Sequence, residues 1–133
     1  MNRPIVLIAD DEPMLVSAFA REARRNGITV EYDTSSDRVV EMAKQLHPDL
    51  IILDIHQKTD GRVLLGRLKR DPDTSDIRVL ILSGVEDQLT RHMCLSLGAI
   101  DYEVKPMDVG FMNKVMRMVG IDPMVPAAPL TAY

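Results

Sequence analysis

Apolar and polar positions along this chain follow two alternating patterns. Three short runs are entirely apolar, which is typical of strands buried on both faces of a sheet; they cover residues 5–9, 50–53 and 79–82. Residues 29–32 alternate between polar and apolar side chains, which predicts a further strand near the sheet edge. Residues 102–104 form a short fifth run. The chain therefore contains five candidate strands.

Between these runs, apolar residues recur every three or four positions, which predicts helices. Pro13 suits a first helical turn, and the helix that follows it ends near Gly27. The later helices are predicted over residues 39–46, 64–68, 89–97 and 108–119. Strand and helix thus alternate five times, which predicts an α/β fold with a parallel sheet and helices on both of its faces.

Two finer expectations concern these helices. Ser35 or Ser36 is expected to cap the helix at 39–46, because serine hydroxyls accept hydrogen bonds from the first free N–H groups of a helix. Leu89, Met93 and Leu97 set the spacing of the helix at 89–97, and Cys94, amid its apolar residues, is expected to be an inert core residue and not a reactive thiol.

The composition fits one domain followed by a short extension. The chain has 133 residues, of which 46% are hydrophobic and 27% charged, as in ordinary globular domains. We predict that this domain covers residues 1–120. From residue 121 onward the helical pattern is replaced by prolines at positions 123, 126 and 129. This spacing suits a polyproline II recognition segment, although a tail or linker stub over 121–133 is the simpler interpretation.

The charge balance and the cysteine content exclude several classes of protein. The net charge of -4 argues against a nucleic-acid-binding surface, which normally carries a basic patch. Cys94 is the single cysteine, so no internal disulfide can form, which fits a reducing compartment. The apolar run at the N-terminus is too short for a signal peptide or a membrane span. We therefore expect a cytoplasmic protein without a membrane segment.

Polar residues of complementary charge follow four of the five strands. Asp10 and Asp11 follow the first strand, Asp54 the third, Ser83 the fourth and Lys105 the fifth. The carboxyl ends of parallel strands share one edge of the sheet, so we expect these side chains to converge there.

Such a cluster suits phosphoryl chemistry with a divalent cation. Three carboxylates in one crevice repel one another unless a cation intervenes, and Mg²⁺ prefers one or two carboxylates together with phosphate oxygens. Lys105 supplies a compact positive charge for a phosphate oxygen, and Ser83 supplies a hydroxyl donor. Asp54, between a metal ion and a lysine, can act as a nucleophile that takes up a phosphoryl group.

In this order, the motifs resemble the receiver domain of two-component response regulators over residues 4 to about 120. The family combines an acidic pair, a phosphoacceptor Asp, a Ser or Thr and a Lys-Pro pair, found here as Asp10-Asp11, Asp54, Ser83 and Lys105-Pro106. The resemblance implies a doubly wound, flavodoxin-like (β-α)5 sheet with strand order 2-1-3-4-5, as in single-domain chemotaxis regulators. It also implies a cis peptide bond before Pro106.

The resemblance further implies how the acidic residues act. Asp54 would accept a phosphoryl group from a sensor histidine kinase or from a small phosphodonor. Asp11 and Asp54 would bind Mg²⁺ directly, and Asp10 would act largely through water. The backbone carbonyl of His56 would be the third protein ligand.

The resemblance also implies a route from the site to a partner. Ser83 and Tyr102 would form a switch pair, in which the hydroxyl moves toward the phosphoryl group and the ring turns inward. They would link the site to the face formed by the helix around 87–97, the strand at 101–104 and the helix at 108–119. We expect that face to bind a downstream protein or a second copy of the chain, with no direct nucleic-acid binding by this domain.

One departure from the family pattern leaves two alternatives open. The third and fourth positions after the phosphoacceptor usually hold an apolar residue and Pro, whereas this chain has Gln57 and Lys58, and Gly61 comes one residue early. The shortened loop is a weak argument for a pseudo-receiver, a binding module that is not phosphorylated, whereas the complete acidic set and Lys105 argue against it. A small phosphotransferase on the same fold is the other alternative, although such enzymes often carry an Asp-x-Asp pair. We expect a signalling switch and no enzyme beyond self-directed phosphotransfer and autodephosphorylation.

Overall fold

The computed structural model describes residues 3–123, which form one five-stranded parallel sheet with a helix after each strand. The strands are β1 (Ile5–Ala9), β2 (Thr29–Asp33), β3 (Leu50–Asp54), β4 (Val79–Ser83) and β5 (Asp101–Val104). The helices are α1 (Pro13–Arg25), α2 (Val39–Leu46), α3 (Gly61–Arg70), α4 (Gln88–Ser96) and α5 (Val109–Met118).

The strand order is β2-β1-β3-β4-β5, and all four neighbouring pairs are parallel. Both the predicted fold class and the order 2-1-3-4-5 are therefore confirmed. Every residue of the inner strands β3 and β4 is buried, because helices cover both faces of the sheet. The alternating strand β2 lies at one edge, as its pattern predicts.

Two apolar layers hold the helices on opposite faces of the sheet. Side chains along each strand point alternately to the two faces, and the inner strands β1, β3 and β4 contribute to both layers. One layer joins the sheet to α2, α3 and α4, and the other joins it to α1 and α5. In the second layer the rings of Phe19 and Phe111 meet edge to face at 6.4 Å, which ties α1 to α5.

The start of α2 differs from the prediction. Its N-cap residue is Arg38, and no side chain caps the helix from that position, so the proposed caps Ser35 and Ser36 are wrong. Asp33 explains the difference, because its carboxylate accepts the N–H groups of both Ser35 and Arg38 and orders this turn instead. The Ser36 hydroxyl accepts the N–H of Thr59 from the loop after β3.

The buried residue of α4 is Cys94, as expected. Leu89, Met93 and Leu97, whose spacing predicted the helix, are 72%, 41% and 37% exposed. The helix packs beside β5, the edge strand, where less of the sheet is available to cover it.

Two remaining predictions concern the end of the chain and its peptide bonds. The peptide bond between Lys105 and Pro106 is cis, as the resemblance implies. The larger part of the proline-rich extension, from residue 124 onward, lies outside the described residues, and the domain boundary at 120 stays a prediction. Over residues 3–123, each helix is too short or too polar to cross a membrane.

Candidate functional site

The carboxyl-terminal edge of the sheet brings three of the predicted residues together. Asp10 directly follows β1, Asp54 ends β3, and Lys105 directly follows β5. Strands β1 and β3 are neighbours, whereas Lys105 reaches the site across β4. Asp10 and Asp54 are only 1% and 2% exposed. The expected convergence of carboxylates and an ammonium group is therefore present.

One ammonium group forms ion pairs with three carboxylates at this edge of the sheet. Lys105 Nζ lies 3.0 Å from Asp10 Oδ2, 3.5 Å from Asp54 Oδ2 and 2.6 Å from Glu12 Oε2. We call these four residues the acidic pocket. Ionised carboxylates that outnumber the cations in a buried site are unfavourable, since little water is present to stabilise them.

The acidic pocket raises the pKa of both Asp54 and Lys105. Burial raises the pKa of Asp54 to about 6, and the nearby charge of Asp10 adds to this effect while Lys105 opposes it. Burial lowers the pKa of Lys105, but its hydrogen bond to Glu12 and its contacts with the Asp10 and Asp54 carboxylates together outweigh burial, so the net pKa is raised. The lysine is therefore charged at neutral pH, and Asp54 ionises only at a cost.

The oxygen atoms of the acidic pocket fit a hard divalent cation. Asp10, Glu12 and Asp54 each offer one carboxylate oxygen, and these three atoms lie within 4.8 Å of one another. Asp10 Oδ2 is buried, and despite its ion pair with Lys105 it accepts no hydrogen bond from any residue within 3–123. A spare carboxylate lone pair in an acidic site is a donor of the kind that Mg²⁺ uses.

Two of the predicted metal ligands, Asp11 and the backbone carbonyl of His56, stay predictions. Asp11 is exposed and lies outside the group of three close carboxylates, in which Glu12 takes the third place. Glu12 is not among the predicted ligands, although the run Asp10-Asp11-Glu12 was a visible signal for it. The side chain of His56 is exposed, while its backbone N–H donates to Asp54 Oδ1 at 3.2 Å.

The shortened loop between β3 and α3 is held by Gln57 and Gly61. Gln57 Nε2 donates to the carbonyl of Asp54 at 2.7 Å and to the carbonyl of Ala9 at 3.2 Å, so it joins β3 to β1. A Cβ atom at Gly61 would lie 2.5 Å from the backbone oxygen of Asp54, so only glycine fits there. Gly61 therefore allows the tight loop, and Gln57 holds that loop by its hydrogen bonds to the ends of β1 and β3.

Ser83 and Tyr102 meet at one backbone carbonyl. Ser83 Oγ lies 3.2 Å from both the N and the O of Val85, and the Tyr102 hydroxyl donates to the same oxygen at 2.7 Å. The Tyr102 ring is buried, and the guanidinium carbon of Arg91 lies 4.9 Å from its centroid. A movement of the Ser83 hydroxyl toward Asp54 would break its contacts with Val85, to which Tyr102 is also bonded.

A set of ion pairs surrounds this tyrosine on the surface. Arg91 lies 3.0 Å from Glu86 and 3.9 Å from Asp101. Lys114 hydrogen-bonds to Asp101 and Glu103. We call these five residues the β5 ion-pair network; it occupies the face formed by α4, β5 and α5.

Comparison with known proteins agrees with this geometry. The family model described as the response regulator receiver domain matches residues 6–117. A relative in Synechocystis, the DNA-binding dual master transcriptional regulator RpaA, is 36% identical over 115 residues, which are 86% of this chain and 48% of the relative. The transcriptional regulatory protein BaeR of Escherichia coli is 32% identical over 79% of this chain and 43% of its own length. The chain thus spans about half the length of these relatives.

Solved structures support the fold. A CheY-like response regulator receiver domain protein from Methanospirillum hungatei has a TM-score of 0.81 at 18% identity, covering 89% of this chain and 94% of that one. A response regulator from Burkholderia pseudomallei, solved with a phosphorylated aspartic acid, a calcium ion and citrate, has a TM-score of 0.76 at 24% identity. The alignment covers 87% of this chain and 66% of that one.

Proposed function

This chain belongs to the response regulator receiver domain family, and we propose that it is a phosphorylatable switch in which Asp54 accepts a phosphoryl group. The observation that carries the proposal is the acidic pocket, where a buried carboxylate lies 3.5 Å from the Lys105 ammonium and beside Asp10. The donor would be the phosphohistidine of a sensor histidine kinase or a small phosphodonor, since each can transfer a phosphoryl group to a carboxylate.

In the proposed reaction a carboxylate oxygen of Asp54 attacks the phosphorus atom of the donor. A new P–O bond forms, the bond from phosphorus to the donor nitrogen or oxygen breaks, and the leaving group keeps the electron pair and takes up a proton. Lys105 would bind one phosphoryl oxygen, and the Ser83 hydroxyl would donate to another. Mg²⁺, when bound, would neutralise charge on the phosphoryl oxygens and on the carboxylates.

We propose that Asp54, Asp11, Asp10 through water, and the backbone carbonyl of His56 hold this Mg²⁺. Glu12 competes for the role of Asp11, because its carboxylate is already close to Asp10 and Asp54. Two facts favour Asp11. Glu12 is engaged in a 2.6 Å hydrogen bond with Lys105, and its side chain is 58% exposed, so it can move away.

For output, we propose that phosphorylation acts through protein contact at the face formed by α4, β5 and α5. The shared bonding of Ser83 and Tyr102 to Val85 supports a link from the pocket to that face. RpaA is described as DNA-binding, but this chain matches only about half of it. The partner here would be a downstream protein or a second copy, without direct nucleic-acid binding by residues 3–123.

The test of the phosphoacceptor is incubation with phosphoramidate and Mg²⁺ followed by intact-mass measurement. We expect one phosphoryl group on the wild type and on the Asp37→Ala variant, and none on Asp54→Ala. Asp37 is a suitable control because it is an exposed aspartate paired only with Lys58 on the surface. Equal phosphorylation of Asp54→Ala would refute the assignment of Asp54.

The pseudo-receiver remains the second candidate, and the short loop held by Gln57 favours it. Chemical-shift mapping with and without beryllofluoride, a mimic of the phosphoryl group, separates the two. A switch requires changes that reach Tyr102 and α5, as expected when a local charge event biases a two-state element. Changes confined to the residues around Asp54 would support the pseudo-receiver instead.

A further inference from the structure

A groove of about 680 Å³ runs between α1 and α5, away from the acidic pocket. Its apolar lining includes Leu15 and Phe19 of α1 and Phe111, Met112 and Met116 of α5. Methionine side chains are flexible and polarizable, so they adapt to apolar ligands of irregular shape. The groove is therefore suited to an extended apolar segment.

The chain leaves α5 two residues after Met116, the last residue of α5 that lines the groove. Gly120 has a φ of +84°, and its N–H donates to the carbonyl of Arg117, while the N–H of Ile121 donates to the carbonyl of Met116. This is the Schellman arrangement, in which a left-handed glycine reverses the chain at a helix end. Ile121 packs on the same apolar layer to which Met116 belongs. The chain is thus turned back toward a residue that lines the groove.

The residues that follow have the composition that such a groove accepts. Residues 124–133 read MVPAAPLTAY and contain no charged side chain. Ten extended residues span at most roughly 33 Å, whereas the stretch of α1 from Leu15 to Asn26 that borders the groove is roughly 16 Å long. Pro126 and Pro129 restrict the unbound segment, so less conformational entropy is lost when it is ordered.

We propose that residues 124–133 bind back along the groove between α1 and α5, with Leu130 against its methionines. Because the segment is tethered beside the groove, its effective concentration is on the order of millimolar, and weak contacts suffice to hold it. The groove is lined by residues of α1 and reaches Pro106, next to Lys105. A bound segment would therefore cover the exposed lining residues of α1. The proposal does not depend on phosphorylation of Asp54.

The chain contains no tryptophan, so Leu130→Trp in the full chain provides a single fluorescent reporter. We expect a blue-shifted emission maximum that moves to the red when Ala18→Glu is added, because Ala18 lines the groove and is exposed on α1. Ser17→Glu is the matched control, since Ser17 is exposed on the same helix but does not line the groove. It should leave the emission unchanged.

A second measurement avoids the added tryptophan. In the ¹³C-methyl spectrum, the double substitution Val125→Asp and Leu130→Asp should shift the methionine signals of the groove and leave that of Met93 on α4 in place. Methionine signals that do not respond would overturn the proposal and assign the groove to another protein, such as a basic segment that contacts Glu22 and Asp108 at its rim. A blue shift that appears only at high concentration, together with a dimer mass, would overturn it in favour of a second copy.

Discussion

The acidic pocket and the β5 ion-pair network contain the same kinds of residue but differ in burial and in balance. In the pocket, the nearly inaccessible carboxylates of Asp10 and Asp54 share one cation with Glu12. In the network, Arg91 and Lys114 each pair with two acids, and these side chains are about one-third exposed or more accessible. The pocket therefore has buried negative charge to be neutralised, whereas the network has two cations for three acids and is screened by water.

The two clusters therefore differ in how their charges affect stability and ligand binding. Exposed ion pairs contribute little, because water screens them in the folded chain and solvates them in the unfolded chain. An excess of buried charge costs stability, and a ligand that neutralises it recovers that cost as binding energy. The pocket is consequently the place where we expect a cation and a phosphoryl group to bind most strongly, and substitutions there should have the larger effects.

The largest effect is expected from Lys105→Met, which removes the ammonium group while keeping much of the side-chain length. We expect the free energy of unfolding to fall by about 2–3 kcal/mol at neutral pH, below the roughly 3–5 kcal/mol of a fully buried pair, because Lys105 is partly exposed. Urea unfolding without divalent ions measures it. The double variant Lys105→Met, Asp54→Asn should recover part of the loss, and a loss that is unchanged in the double variant would contradict the shared-cation interpretation.

The next effect is a gain of stability in Asp54→Asn that depends on pH. The folded-state pKa of Asp54, about 6, lies above the ordinary aspartate value of 3.8. The unfolded state therefore releases this proton first, so the wild type loses stability as the pH rises from about 4 to about 6. The asparagine variant avoids this loss and should be more stable by up to ~3 kcal/mol at pH 7.5, without divalent ions.

Thermal or urea unfolding as a function of pH checks this expectation. Below about pH 4, where Asp54 is protonated in both states, the wild type and the variant should become nearly equal in stability. Asp37→Asn serves as the control, because its carboxylate is exposed and pairs with Lys58, which is not a residue of the pocket. A gain that is the same at pH 4 and pH 7.5 would show that the effect of Asp54→Asn is not electrostatic.

A smaller effect, the gain in stability when Mg²⁺ binds, distinguishes the two candidate metal ligands. Mg²⁺ at ten times its Kd should stabilise the wild type by about 1.4 kcal/mol. Because we assign Asp11 to the metal and Glu12 to Lys105, Asp11→Asn should lose most of this stabilisation and Glu12→Gln should keep it. Titration of Mg²⁺ followed by the unfolding midpoint measures both variants. The reverse result would assign Glu12, the residue nearer to Asp10 and Asp54, as the ligand.

The smallest effect is expected in the β5 ion-pair network. Lys114→Met should change the free energy of unfolding by less than about 1 kcal/mol, and by less still at high salt. Burial raises the pKa of Asp101, but the hydrogen bonds from Lys114 and from the N–H of Tyr102, together with the charges of Lys114 and Arg91, outweigh burial and lower the pKa overall. That small contribution is present above the ordinary aspartate pKa of 3.8 and is lost as the pH falls through the lower folded-state pKa. A loss above about 2 kcal/mol would show that this network is as strongly coupled as the pocket.

Local patterns predicted all five strands to within one residue. The apolar runs at 5–9, 50–53 and 79–82 match β1, β3 and β4 to within one residue, because a strand covered on both faces leaves few polar positions. The helices were predicted less well in detail. The spacing of Leu89, Met93 and Leu97 predicted α4, whose buried residue is Cys94. The serines suggested as caps of α2 do not cap it, and the Asp33 carboxylate orders that turn by accepting two backbone N–H groups.

By itself, the sequence determined the α/β alternation, the residue types that follow each strand and, through the resemblance of its motifs, the order of the strands. These depend on local periodicity and on residue identity. The tertiary structure alone decided that Glu12 stands closer to Asp54 than Asp11 does, that Gln57 closes the short loop, and that Ser83 and Tyr102 share Val85. Such contacts depend on side-chain direction and on distances between separate strands, which no pattern along one chain specifies.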